Sequence, residues 1–402
     1  MTIAQTLVRV PLRGRPLVTL TGGILALLIA MGVGRFAFTL LLPLMQSEAG
    51  FSPRVAGWLA SANYFGYFAG SLTATLWPAG RGTRGALLGA FVVSTVTTIA
   101  MGLTQSIPQW MLLRFLSGAA SAWVFVFVST LVLTHLRDAG NAGAAGWMYS
   151  GVGIGIAATS LLVLALPIRD SSLLWLLFGA LSAIVLALSG SVLPAKPSAG
   201  ASRSQARPAA PTPVHSGRGL LLLAYTLEGI GYIVSATFIV AVIHSARGNY
   251  ESGAWTWVVV GLAGIPACAL WTRPADYRTL LSRLALGYWI QASGIVAVAL
   301  APASVIAALI SAATLGATLT GIVMLTMVLA PRLDPEHPRR TVGQLTIGFS
   351  IGQMLGPVLA GYTADFTGSY APALLGSAAL LVVSALATHA MIRAESKQVS
   401  HV

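Results

Sequence analysis

Charge is scarce along these 402 residues, of which only 8% are Asp, Glu, Lys or Arg and only 10 are acidic. A water-soluble domain carries about 25% charged residues, so this chain cannot cover a soluble core of its size with polar surface. Cysteine occurs once, at Cys268, which excludes an intramolecular disulfide. No HExxH or CxxC string occurs and the six histidines are scattered, which argues against a metal enzyme. No GxxxxGK[ST] string is present either, so nothing in the chain would grip a nucleotide phosphate to drive work by ATP. The glycine string GVGIG at 151–155 lacks the preceding strand and surrounding βαβ unit of a dinucleotide site.

What the chain has instead is apolar length. It is 56% hydrophobic with a mean hydropathy of +0.82. Apolar runs recur at 17–45, 53–77, 84–105, 108–136, 142–167 and 172–193, then at 219–244, 253–272, 279–300, 303–330, 342–364 and 370–392. Each matches the ~20 residues that cross ~30 Å of hydrocarbon as a helix. The expected fold is therefore an all-α membrane protein with twelve transmembrane helices. The first run follows Arg9, Arg13 and Arg15 but far exceeds the roughly 7–15 residues of a signal peptide's apolar region, so it reads as a retained helix.

Basic residues fall on alternate breaks. The N-terminus, the even-to-odd loops and the C-terminus hold 18 of the 23 Lys and Arg residues, against Arg54, Arg169 and Arg247 on the opposite side. Positive charge concentrates on the cytoplasmic side of membrane proteins, which places both termini in the cytoplasm. Trp58, Trp77, Trp110, Trp175, Trp255, Trp257 and Trp271 lie near the ends of the runs and suggest an interfacial aromatic belt. Residues 195–218, rich in Pro, Ala and Ser, read as a disordered cytoplasmic linker whose basic residues meet lipid headgroups.

That linker divides the chain into a cytoplasmic tail at 1–16, a six-helix unit at 17–194, a second at 219–392 and a tail at 393–402. An internal repeat supports the division. A shift of 197 residues carries Gly32 and Gly34 onto Gly229 and Gly231, and Gly146, Gly151 and Gly155 onto Gly343, Gly348 and Gly352. It also carries Arg81 onto Arg278. One offset across distant regions implies duplicated, pseudo-symmetric halves of the same orientation.

Only three charges fall deep in the runs: Arg35, Arg114 and Glu228. Ionisable groups at that depth cost a few kcal/mol and mark function by default. Arg35 precedes Met45 by ten residues and Glu228 follows Arg218 by ten, which sets both about 15 Å from a membrane face. In one reading Glu228 takes up a proton and Arg35 holds an anionic group; in the other the two form a permanent ion pair that locks the halves together. Tyr225, Glu228, Tyr232 and Ser235 share one helical face, as expected of a wet cavity wall. Asn63 and Tyr67 either line the same cavity or hydrogen-bond between helices. Arg114 shares a face with Ser117 and Ser121 and lies close enough to a helix end to snorkel instead. Glycines spaced by four, such as Gly66 and Gly70, read as sites of close helix packing.

Three strings carry a family likeness: GVGRFAFTLLLPLM at 32–45, ASANYFGYFAG at 60–70 and LEGIGYIVSATF at 227–238. They resemble the major facilitator superfamily, and within it the YbfB/YjiJ-type transporters, over all twelve runs. RFLSG at 114–118 is similar to the superfamily's RxxxG element, which implies a coupling or cavity role for Arg114. Two features depart from the pattern. The second break keeps Arg81 and Arg84 without the usual acidic residue, and the fifth run lacks the Gly-Pro often seen in antiporters.

The resemblance implies a secondary active transporter working by alternating access, and not an enzyme. Two arginines against one carboxyl favour a small organic anion, moved across the inner membrane with protons. The alternative is a proton-coupled multidrug or metabolite efflux pump. Expected partners are the solute, protons and membrane lipids, with no nucleic acid, no cofactor and no metal, in a monomer. The expected site comprises Glu228 for the proton and Arg35, Arg114, Tyr225, Tyr232, Asn63 and Tyr67 for the substrate.

Overall fold

The structure, a computed structural model, describes residues 16–77, 82–192 and 217–399. The 195–216 part of the expected linker, almost all of the 1–16 tail, and Arg81 lie outside the described residues. Every described element is helical. In chain order they are α1 (Pro16–Leu27), a π-helical turn (Leu28–Val33), α2 (Ala37–Ala49), α3 (Pro53–Leu76), α4 (Thr83–Met101) and α5 (Ile107–Asp138). A 3-10 segment (Ala142–Tyr149) leads into α6 (Ser150–Ala165), followed by α7 (Ser171–Val192). The second set is α8 (Arg218–Arg247), α9 (Tyr250–Trp271), α10 (Tyr277–Leu300), α11 (Val305–Leu333), α12 (Pro338–Thr367) and α13 (Ala371–Val399).

Ten of the described helical spans are long and apolar enough to cross a membrane. The α3 helix is long enough at 24 residues but more polar, and the apolar part of α7, Ser171–Ala187, is shorter. Helix starts follow local chemistry. Ser52, Asn249, Asp276 and Ser304 accept hydrogen bonds from Val55, Ser252, Thr279 and Ala307 backbone N–H groups at the starts of α3, α9, α10 and α11. Gly50, Gly248 and Gly368 end α2, α8 and α12 at φ of +64°, +69° and +71°, a conformation that glycine adopts without strain.

Helices pack through glycine. An added Cβ on Gly32 would stand 2.5 Å from the Gly155 Cα, and one on Gly352 would stand 2.9 Å from the Gly229 carbonyl carbon. These are the same contact moved by the 197-residue offset. A third observation sits on that offset: Thr39 Oγ1 donates to the Ala236 carbonyl at 2.8 Å. The α3 helix packs on α5 and α12, α6 packs on α9, and α8 packs on α12 and α13.

Three expectations change. The first run is not one helix, because its backbone widens into a π turn and breaks at Gly34–Phe36, where the Gly34 N–H reaches back to Ile29 O at 2.8 Å. The tryptophans do not all form a belt. Trp58, Trp77 and Trp255 are exposed, whereas Trp110, Trp175 and Trp257 are buried. The first two of the buried indoles find internal acceptors in Met101 O and Met45 Sδ, as buried indoles usually do. Finally, α13 runs beyond residue 392 to Val399, so the expected tail begins as helix.

Candidate functional site

Arg35 stands in the break between the π turn and α2. Its guanidinium carbon lies 4.8 Å above the Tyr64 ring, 4.4 Å above Tyr67 and 5.5 Å from Phe36. Stacking on aromatic faces suits a planar cation in a dry site. Arg35 is only 4% exposed, yet its Nε and Nη2 have no hydrogen-bond partner. Those two nitrogens form one edge of the guanidinium, the fork that a carboxylate fills with two parallel bonds. A buried donor pair left open is costly unless something visits it.

Arg114 does not snorkel. It is 2% exposed and turns inward from α5, where Nη1 and Nη2 donate to Gly34 O at 3.3 Å and Arg35 O at 3.4 Å. Ser117 Oγ donates to Gly34 O at 2.9 Å. A π turn and a chain break leave carbonyls without their helical partners, and Arg114 and Ser117 supply the missing donors. Arg114 thus sets the Arg35 backbone and lies with its guanidinium 4.5 Å over the Phe38 ring. Asn63 Nδ2 in turn donates to Arg114 O at 2.9 Å, the interhelical bond weighed for it above. Its Oδ1 is buried without a partner.

Glu228 lies on α8 and is 1% exposed. The four ion pairs among the described residues are elsewhere, so no ion pair joins Arg35 to Glu228. The partner of Glu228 is Gln291 of α10, fully buried, whose amide lies 3.1 and 3.3 Å from the two carboxyl oxygens. Tyr225 and Tyr232, on the same face of α8, sandwich Phe349 of α12 at 4.4 and 5.5 Å between ring centres with planes 12° and 7° apart. Gln353 of α12 donates to the Tyr232 hydroxyl. Tyr64 and Thr237 hydroxyls meet at 3.2 Å, tying α3 to α8 beside both clusters.

The expected residues therefore form two groups. Arg35, Tyr67, Asn63 and Arg114 gather about the broken first helix, and Glu228, Tyr225 and Tyr232 about α8. The sequence reading missed Gln291, Gln353, Phe349 and Tyr64. Only the two amides carried a signal, as lone polar residues in apolar runs.

Two ion pairs lie at one end of the bundle, while Arg218 pairs with Asp334 at the other. Arg54 binds Asp365 at 2.7 Å and Arg169 binds Glu251 at 2.8 Å, joining α3 to α12 and the α6–α7 connection to α9. Arg54 and Glu251 are related by the 197-residue offset with opposite sign, and their partners Asp365 and Arg169 miss it by one residue. Both pairs are exposed, and such pairs are worth at most about 1 kcal/mol each.

Two crystal structures of the nucleoside transporter NupG share the fold. One, of a point mutant, aligns with a TM-score of 0.69 at 16% identity, covering 93% of this chain and 99% of that one. The other aligns at 0.68 and 17%, covering 93% and 98%. A search of the curated proteins found no match. A family model described as uncharacterised MFS-type transporter YbfB matches residues 27–389, nearly the whole helical bundle. The chain belongs to that major facilitator family: it is a multi-pass membrane transporter of a small solute and not an enzyme.

Proposed function

We propose that this protein moves a small organic anion across the inner membrane together with protons, by alternating access of two six-helix halves around Arg35 and Glu228. The observation that carries the reading is the open Nε–Nη2 edge of Arg35, buried on Tyr64 and Tyr67 with no acceptor. A planar carboxylate completes that edge with two charge-assisted bonds. Glu228 is a buried carboxyl without a cation, free to gain and lose a proton while Arg35 holds cargo. The shared 197-residue offset of Gly32–Gly155, Gly229–Gly352 and Thr39–Ala236 supports the two halves and twelve crossings, counting α3 and α7. The protein works as a monomer in this reading, since one chain supplies the whole site.

The test is uptake into proteoliposomes under an imposed pH gradient, over a panel of labelled carboxylates with nucleosides as the neutral arm. Expected is gradient-driven accumulation of a carboxylate by the wild type, lost in Glu228→Gln while substrate-for-substrate exchange persists. Accumulation of nucleosides alone would defeat the anion assignment, and undiminished gradient dependence in Glu228→Gln would defeat the proton role.

Orientation follows the 18-to-3 split of basic residues and has its own check. In a Cys268→Ala background, Ser369→Cys should react with a membrane-impermeant thiol reagent in intact cells, and Ser204→Cys should not. Labelling in the reverse order would invert the topology.

A further inference from the structure

The pairing of Glu228 with a glutamine, rather than with a cation or a second acid, has a chemical consequence. An ionised carboxyl only accepts hydrogen bonds, whereas a protonated one must also donate. A primary amide has one end of each kind, and its terminal torsion is broad and roughly two-fold. At Gln291 the amide end facing Glu228 lies 3.1 Å from Oε1 and 3.3 Å from Oε2. With nitrogen at that end, Nε2 donates to the carboxylate. With oxygen there, Oε1 of Gln291 accepts the O–H of the acid, while Nε2 at the far end then faces a donor, so this orientation is held only as long as the acid donates to it.

We propose, on the reading that Glu228 carries the proton, that Gln291 is its positioning residue: an amide rotor that serves both protonation states from one place. When Glu228 takes one proton from water, a carboxyl oxygen gains the O–H bond and donates it to the Gln291 amide oxygen. When the proton returns to water, the amide turns by half a revolution and Nε2–H donates to the carboxylate. One O–H bond of the hydrated proton breaks as the carboxyl O–H forms, and release reverses this; no other covalent bond changes. An aliphatic residue would satisfy neither state, and an arginine would hold Glu228 permanently ionised.

The surroundings leave this pair isolated. The titratable groups that feel the charge of Glu228 are Tyr225 and Tyr232 on its own helix and Tyr288 on α10. From α2, α12 and α13, the polar and aromatic side chains that reach α8 include Thr39, Phe349, Gln353 and Ser384, with Gln344 on Arg218 at the α8 start, none of these five charged. The α9 acid Glu251 is bound to Arg169, and Arg332 of α11 donates to Ala275 O at the helix end. His389 of α13 is engaged by Trp289, and Arg283 of α10 by the Trp271 and Arg273 carbonyls. Gln291 is the one side chain hydrogen-bonded to Glu228 among the described residues.

Infrared difference spectroscopy of the full chain in lipid vesicles, low pH minus high pH, reads both partners with the proton itself as probe. The wild type should show a protonated carboxyl band, absent in Glu228→Gln, together with a side-chain amide change that shifts on labelling glutamine with carbon-13 at the amide carbonyl. In Gln291→Leu the amide change should vanish and the carboxyl band should move to the higher frequency of an unbonded acid. A carboxyl band lost in Glu228→Gln but unmoved in Gln291→Leu, with no glutamine signal in the wild type, would overturn the rotor. Absence of any band that Glu228→Gln removes would instead overturn the proton role on which the rotor rests. The carbon-13 measurement is made on the wild type and decides the matter even where Gln291→Leu fails to fold.

Discussion

Arg35→Lys should leave the protein folded and inserted while weakening apparent substrate affinity about 10- to 100-fold, the loss expected when one charge-assisted bond worth about 1.5–3 kcal/mol is removed. Lysine keeps the charge but is a point donor that cannot present the two-nitrogen edge left open at Arg35. It also loses the flat stacking on Tyr64 and Tyr67. Arg35→Gln should abolish uptake of the same carboxylate. Since no ion pair joins Arg35 to Glu228, the stability effects of Arg35→Gln and Glu228→Gln should add to within about 0.5 kcal/mol, and the double variant should not transport. A locking ion pair would behave differently, with each single change costing about 3–5 kcal/mol and the second restoring stability. A thermal-unfolding cycle read beside uptake separates the two, and rescue of uptake in the double variant would remove Arg35 from the binding site.

The fold class was legible because the signal is coarse and repeated. Apolar length, alternating basic loops and a glycine pattern recurring at one offset each survive errors of several residues at any boundary. Charge at depth pointed to Arg35, Arg114 and Glu228 for the same reason, and all three are buried. Their partners were not legible. Gln291 and Gln353 carry no charge and sit in apolar runs, where a lone amide looks like many other helix-packing polar residues. The break at Gly34–Phe36 was hidden as well, because its cause lies in another helix: Arg114 and Ser117 of α5 donate to the carbonyls that the widened turn leaves free. No property of the string GVGRF by itself predicts donors from residues 80 positions away.

Gly66 is where packing and site meet, and its replacement should have the largest structural effect. A Cβ at Gly66 would stand 1.9 Å from Phe115 O, and one at Gly118, across the same contact, 2.0 Å from Asn63 O. Both obstacles are backbone, so no side chain can swing aside, and α3 and α5 must separate by roughly 1 Å along a close-packed seam. Overpacking of this kind costs about 1–3 kcal/mol. Gly66→Ala belongs at the upper end, because the seam also carries the Asn63 bond to Arg114 O and places Tyr67 under Arg35. Gly89, on α4, has nothing within 4 Å of an added Cβ. Gly89→Ala should therefore be neutral or gain up to about 1 kcal/mol from helix propensity. Unfolding of the detergent-solubilised protein, followed by size-exclusion after heating, should show a much lower midpoint for Gly66→Ala and no decrease for Gly89→Ala. Any Gly66→Ala protein that survives should also bind its carboxylate poorly, since the helix that holds Tyr64 and Tyr67 beneath the guanidinium has moved. Equal midpoints for the two variants would mean that α3 and α5 are not held by this seam.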